Sequence, residues 1–130
     1  MNSTRCKLYL LFVIFTFSDT VFAQDCDNEL AKKVYGICAA CHGQPEVENP
    51  PLGPSLKGLF GRESGTLPNY IYSVAMENAA IIWNAETLNA YLESPMTIVP
   101  GSSMAFAGIR DDHQRKNLIC WLGTFEQKAR

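Results

Sequence analysis

An all-α domain with long irregular connections is what this 130-residue chain predicts, and three observations predict it. Apolar residues recur at helical spacing in short segments, most of them opened by a residue type that caps helices. Proline and glycine crowd two of the intervals between those segments, Pro45 to Gly65 and Pro95 to Gly108, and the first suits neither a long helix nor an interior strand. The chain has room for one core, and no internal repeat, low-complexity tract or long charge block marks a second domain.

The first residues have another character. Arg5 and Lys7 precede the apolar run Leu8 to Phe17, and Val21-Phe22-Ala23 leads to a cut before Gln24. That is the build of a secretory signal peptide over 1–23, with the domain occupying 24–130. The run is short for a permanent bilayer helix, an uncleaved anchor being the alternative. Removing 1–23 takes away Arg5, Lys7 and Asp19, so a formal charge of −2 becomes −3. Mild acidity argues against a nucleic-acid surface, which needs a basic face. Cys6 leaves with the leader, so Cys26, Cys38, Cys41 and Cys120 reach an oxidising compartment.

The first predicted helix runs from Asp27 to about Cys41, with Leu30, Val34, Ile37 and Cys41 on one stripe, acids at its start and an end at Gly43. A short helix from an Asn69 cap to about Asn78 follows the first proline-rich interval. Asn84 caps a third helix from Ala85, which stops near Glu93 ahead of Pro95 and carries Leu88, Tyr91 and Leu92 as its stripe. The stretch Ser94 to Arg110 is long for a structureless link in a small domain, the mark of a functional loop. Asp111 with Gln114 resembles a capping box, and Leu118, Ile119, Trp121, Leu122 and Phe125 make a final amphipathic helix. About a hundred residues with this much irregular backbone have a thin core, which a large apolar cofactor would complete.

Cys38-Ala39-Ala40-Cys41-His42 carries the signature of such a cofactor, the C-x-x-C-H pattern of covalent haem attachment. On a helical turn the two sulfurs can reach the vinyl groups on one side of a porphyrin while the adjacent imidazole turns under the iron. One haem c attached through Cys38 and Cys41, with His42 as proximal ligand, is the expectation. A thioredoxin-like pair would sit at a helix start in a βαβ setting, whereas this one lies at a helix end. A zinc site that adds Cys120 or His113 lacks the paired spacing of zinc modules. Candidates for a sixth ligand are Met76, Met96, Met104 and His113. Methionine is ordinarily a core filler, so position decides. Met104 follows Pro100-Gly101-Ser102-Ser103 in the long loop, where a bent backbone can present a thioether opposite His42. Met76 in a short helix and Met96 after a helix-stopping proline look like packing residues, and His113 in a first helical turn is expected to be solvated.

CAACH at 38–42, GPSLKGLFGRESG at 53–65, Trp83, ETLNAYLESP at 86–95, PGSSMAFAGI at 100–109 and LICWL at 118–122 occur in a familiar order. Over residues 26–126 the chain resembles the class I c-type cytochromes, the family of mitochondrial cytochrome c and bacterial cytochrome c2. The resemblance implies a fold in which the first and last helices cross and loops wrap one haem, with His42 and Met104 as axial ligands. It implies that the Pro54 carbonyl accepts the ring N–H of His42 and that Arg62, Tyr72 and Trp83 hold a haem propionate. Tyr91 and Ser102 would lie near the Met104 sulfur, and Phe106 would shield the haem edge. For Trp83, Tyr91 and Phe106, plain core packing is the competing reading. Met76 stands where the family usually has asparagine, which implies a drier pocket. Cys26 and Cys120 fall in the two elements that cross, and either a disulfide or two unpaired thiols fits them.

Two protein ligands leave no open iron position, so the implied function is electron transfer rather than catalysis. The expected protein is a soluble, monomeric carrier of a bacterial periplasm, passing one electron at a time between respiratory or photosynthetic partners. A reductase or bc1-type complex would be the donor, and an oxidase, reaction centre or peroxidase the acceptor, with no nucleic acid and no stable membrane insertion. Two other classes stay open: a peroxidase from which Met104 dissociates, and a subunit of a larger dehydrogenase. Mitochondrial relatives ring the haem edge with lysines, whereas the aligned positions here include Ile37, Met96, Ser103 and Asp111, with Arg110 nearly alone. That departure predicts a largely apolar or neutral docking face and association only weakly dependent on salt.

Overall fold

The computed structural model describes residues 26–128, so the leader reading at 1–23 lies outside the described residues. The helices follow in the order α1 Asn28–His42, α2 Val74–Asn78, α3 Ala85–Glu93, α4 Pro95–Ile98 and α5 Asp112–Lys128. Among the described residues there is no strand, only an isolated antiparallel bridge between Glu63 and Ile82. No helix among them is long and apolar enough to cross a membrane.

Helix boundaries follow from capping chemistry. α1 starts where the Asp27 carboxylate accepts the Leu30 N–H at 3.0 Å, and ends where Gly43, at φ 65°, donates its own N–H to the Ala39 carbonyl. Asn84 and Thr87 make a reciprocal capping box at the start of α3, and the Asp111 carboxylate accepts the Gln114 N–H at 2.9 Å. α2 begins later than the sequence predicts. Its cap is Ser73 rather than Asn69, because Tyr70 and Tyr72 draw the chain between them outward: their rings meet edge-on at 4.7 Å, and the Tyr70 hydroxyl donates to the Leu52 carbonyl. Pro95 both ends α3 and opens α4, where its missing N–H leaves no bond unmade. The connection to Arg110 is therefore partly helical. Met96, expected to pack, is 51% exposed, since the four residues of α4 turn it outward.

α1 packs on α5, α5 on α3, and α3 on α4. Ala31, fully buried at the α1–α5 seam, lets the two helices approach closely. Tyr35 of α1 meets Trp121 of α5 at a ring separation of 5.1 Å, and Trp121 meets Phe125 edge-on at 4.9 Å. At one end of the seam Asp27 N–H donates to Asn117 Oδ1, and Cys26 and Cys120, with Cα atoms 5.8 Å apart, form a disulfide. The reading of two unpaired thiols is thus excluded. Residues of all three longer helices share one buried core, and part of that core walls the candidate site.

Candidate functional site

The last turn of α1 presents Cys38, Cys41 and His42 together. Cys38 is half-buried, Cys41 exposed, and His42 buried. Burial pushes the Cys38 thiol up, so in the free polypeptide it rests protonated. Residues 52–54 fold over the end of the helix, the N–H groups of Leu52 and Gly53 both donating to the Cys41 carbonyl at 3.3 and 2.8 Å. A Cβ on Gly53 would stand 2.8 Å from the His42 ring, so only glycine lets the backbone lie against the imidazole. The next residue supplies the carbonyl that meets His42 Nδ1 at 2.8 Å, that of Pro54. A carbonyl can only accept. The contact therefore selects the tautomer in which Nδ1 carries the proton, the one that in the neutral ring leaves the Nε2 lone pair free.

The Met104 loop approaches from α3. Tyr91, buried against Trp83 at a ring separation of 5.1 Å, directs its hydroxyl to Met104 Sδ at 3.4 Å and lies equally far from Ser102 Oγ. Ser102 Oγ also accepts the Met104 N–H. Burial pushes the Tyr91 phenol up, against a smaller opposing effect of Ser102, so it remains a donor.

A short pairing of 61–64 with 81–83 places Arg62 beside Trp83: Gly61 N–H donates to the Trp83 carbonyl, and Trp83 N–H to the Arg62 carbonyl. Arg62 in turn donates to the carbonyls of Lys57 and Ser55 at 2.9 and 2.8 Å. Desolvation lowers its pKa, and Tyr72 opposes that shift. Gly65, at φ 71°, rests so close to α2 that a Cβ would stand 2.6 Å from Glu77 Cα. This contact seats Met76 in the wall.

Two adjoining clefts, of about 100 and 280 Å³, share Cys38, His42, Pro54, Tyr72, Met76 and Met104 as lining residues. Arg62, Trp83 and Tyr91 line the first only, and Cys41, Ser102 and Phe106 the second only. Every site residue singled out from the sequence therefore meets this space. His113 does not line it; it is exposed and bonded to Asn117. The donor chemistry fits a haem c: an imidazole and the thioethers of Met76 and Met104 line one largely apolar cavity, with the Cys38 thiol and one guanidinium on its wall and the Cys41 thiol on the adjoining cleft.

Sequence reasoning missed Tyr35 and Arg115. The Tyr35 hydroxyl donates to the Gly43 carbonyl at 2.7 Å while its ring lines the first cleft, and burial pushes its phenol up. Its signal was position, since Tyr35, Cys38 and His42 share one helical face. Arg115 is 3% exposed within α5. Its signal was a charge on the stripe of Leu118 and Leu122.

The chain is 45% identical over 101 residues to a cytochrome c of Euglena viridis, which covers 77% of this chain and 98% of that protein. It is 35% identical over 121 residues to cytochrome c2 of Blastochloris viridis, covering 93% and 94%. Among solved structures, cytochrome cH from Methylobacterium extorquens superposes with a TM-score of 0.68 at 32% identity, covering 74% of this chain and 96% of that one. No family model matches.

Proposed function

Because this chain belongs to the class I c-type cytochromes and carries covalently attached haem c, we propose that it is a soluble single-haem electron carrier between respiratory or photosynthetic redox partners. One observation carries the reading: an imidazole with its proton held at Nδ1 and the Met104 sulfur line the same apolar space. The haem, when bound, supplies a one-electron ferric–ferrous couple. Cys38 and Cys41 would bond it, and His42 Nε2 and Met104 Sδ would hold its iron. Pro54 orients the imidazole, as carbonyl partners of ligating histidines do, and strengthens it as a donor. Arg62, Tyr72 and Trp83 would receive a propionate, and Phe106 would cover the exposed edge. No side chain is assigned as acid, base or nucleophile, since His42 and Met104 would both be taken up in holding the iron.

A visible spectrum of the purified protein in both oxidation states tests this. Low-spin bands in the native protein, and haem absorbance that stays with the polypeptide through denaturing extraction, are expected, because the axial ligands depend on the fold while the attachment is covalent. A colourless or uniformly high-spin protein would overturn the reading.

Tyr91→Phe removes the donor to Met104 Sδ while keeping the ring against Trp83. A sulfur relieved of that bond gives more electron density to the iron and favours the ferric state. The expected fall in potential is on the order of 20–60 mV, the net worth of one hydrogen bond at ~59 mV per tenfold. Redox titration checks it, and an unchanged potential contradicts the assigned role.

The proposed compartment is a bacterial periplasm, which the Cys26–Cys120 disulfide supports, since such bonds persist where the environment is oxidising. Donor and acceptor are proposed to be redox proteins that meet the mouth of the second cleft. Ile37 and Leu52 at that mouth are 69% and 70% exposed, and none of the described residues lining the cleft is charged. Raising ionic strength from ~0.01 to ~0.15 M shortens the screening length from ~30 to ~8 Å. Association with the physiological partner is expected to change by less than about threefold over that range, against the 10–10³-fold gains of charge steering. Stopped-flow mixing measures it, and a steep loss with salt would sink the neutral-face reading.

A further inference from the structure

We propose that Arg115 is a positioning residue for Met104: it latches the C-terminal leg of the Met104 loop to α3 and α5, and so keeps the sulfur in the site. This rests on Met104 being the sixth ligand. Nε of Arg115 donates to Asn89 Oδ1 on α3 at 3.0 Å, and Nη1 donates to the carbonyls of Ile109 and Arg110 at 2.7 and 2.9 Å. Nη2 reaches Asp112 Oδ1 at 3.2 Å and lies 3.8 Å from Glu93 Oε1. One guanidinium thus joins α3, the start of α5 and the end of the loop. Lysine, a point charge on a flexible stem, cannot match that fork.

The same leg is held twice more. Ile109 N–H donates to the Leu92 carbonyl at 2.7 Å, and Gly108, at φ 96°, lies so close to α3 that a Cβ would stand 2.2 Å from the Glu93 carbonyl oxygen. The other leg is held at Val99, which is buried and bonded to the Pro95 carbonyl. Between these pins Gly101, Ser103, Ala105 and Ala107 are exposed, and the Met104 backbone bonds to Ser102 and Phe106 of its own loop. The sulfur therefore owes its place to Tyr91, to the packing of the Met104 side chain on the buried core, and to the pins at the two ends of the loop. A buried ion pair is weak evidence for stability, because desolvation offsets its attraction. Fixing the geometry of the loop end accounts for a buried arginine where an apolar residue would pack as well.

The test titrates the oxidised haem protein with free imidazole, which competes with Met104 for the iron and binds only molecules whose loop has opened. Arg115→Met is expected to bind imidazole at least tenfold more tightly than the parent, and Arg115→Lys less than that but in the same direction. Ile119→Ala, a core deletion in α5 outside both clefts, is expected to lower the melting temperature while leaving imidazole affinity near the parent value. Parental affinity in Arg115→Met overturns the proposal, as does an equal rise in Ile119→Ala at equal loss of melting temperature. If Arg115→Met does not fold around haem, Arg115→Lys decides alone, and parental affinity there overturns the proposal. Failure of the ligand reading looks different: Met104→Ala would then leave imidazole affinity unchanged.

Discussion

Met104→Ala is expected to convert the oxidised protein from low-spin to high-spin and to lower its reduction potential by on the order of 0.1–0.3 V, within the ~0.8 V that axial ligands span. Sulfur is a soft donor and stabilises the ferrous state. Alanine leaves the position to water, a harder donor that favours the ferric state, and it strands the Tyr91 hydroxyl with Ser102 as its remaining partner. Met104 is half-buried, so the loss of packing should fall near the low end of the ~2–5 kcal/mol typical for core methionines. Met96→Ala is the matched control. That side chain is exposed, so its removal should change stability by less than about 0.5 kcal/mol and leave the spectrum alone. A low-spin spectrum in Met104→Ala, or a high-spin one in Met96→Ala, would move the ligand assignment elsewhere. Spectroelectrochemistry reads spin state and potential in one experiment.

The double variant Cys26→Ser, Cys120→Ser is expected to lose about 2–5 kcal/mol of stability, toward the upper end because the bond spans a sequence separation of 94. The cross-link restricts the unfolded chain far more than the folded one, where α1 and α5 already meet through Tyr35 and Trp121. Against typical totals of ~5–15 kcal/mol the loss is large. Denaturant unfolding of the haem-loaded protein should give a lower midpoint and a steeper dependence, since the freed unfolded chain exposes more surface. Thiol reductant should reproduce the effect on the parent and do nothing to the double variant, because thioethers at Cys38 and Cys41 are not reducible disulfides. Equal midpoints for parent and variant would show that the helix seam alone sets stability.

Local chemistry made much of the fold legible. Asp27, Gly43, Asn84 and Asp111 mark helix ends through bonds within one turn, and the structure uses each of them. Asn69 misled because two tyrosines compete for the same stretch of chain, and their contacts lie outside any local pattern. Met96 departs from the expected packing because Pro95, which stops α3, is equally at home in the first turn of a new helix. Arg115 went unnoticed because its partners Asn89 and Glu93 lie on another helix, and charge on a helix is usually solvated.

By itself the sequence determined that two thiols and an imidazole stand together at a helix end, since i, i+3 and i+4 positions are neighbours on any α-helix. It also determined that proline- and glycine-rich connections, not strands, must enclose whatever sits there. Tertiary structure decided that Met104 shares a cavity with His42, that Arg62 lies beside Trp83, and that Cys26 is bonded to Cys120. Helix caps and periodicity act over one or two turns of chain. These contacts join residues tens of positions apart, and they exist only once α1 and α5 have packed and the loops have closed over the space between them.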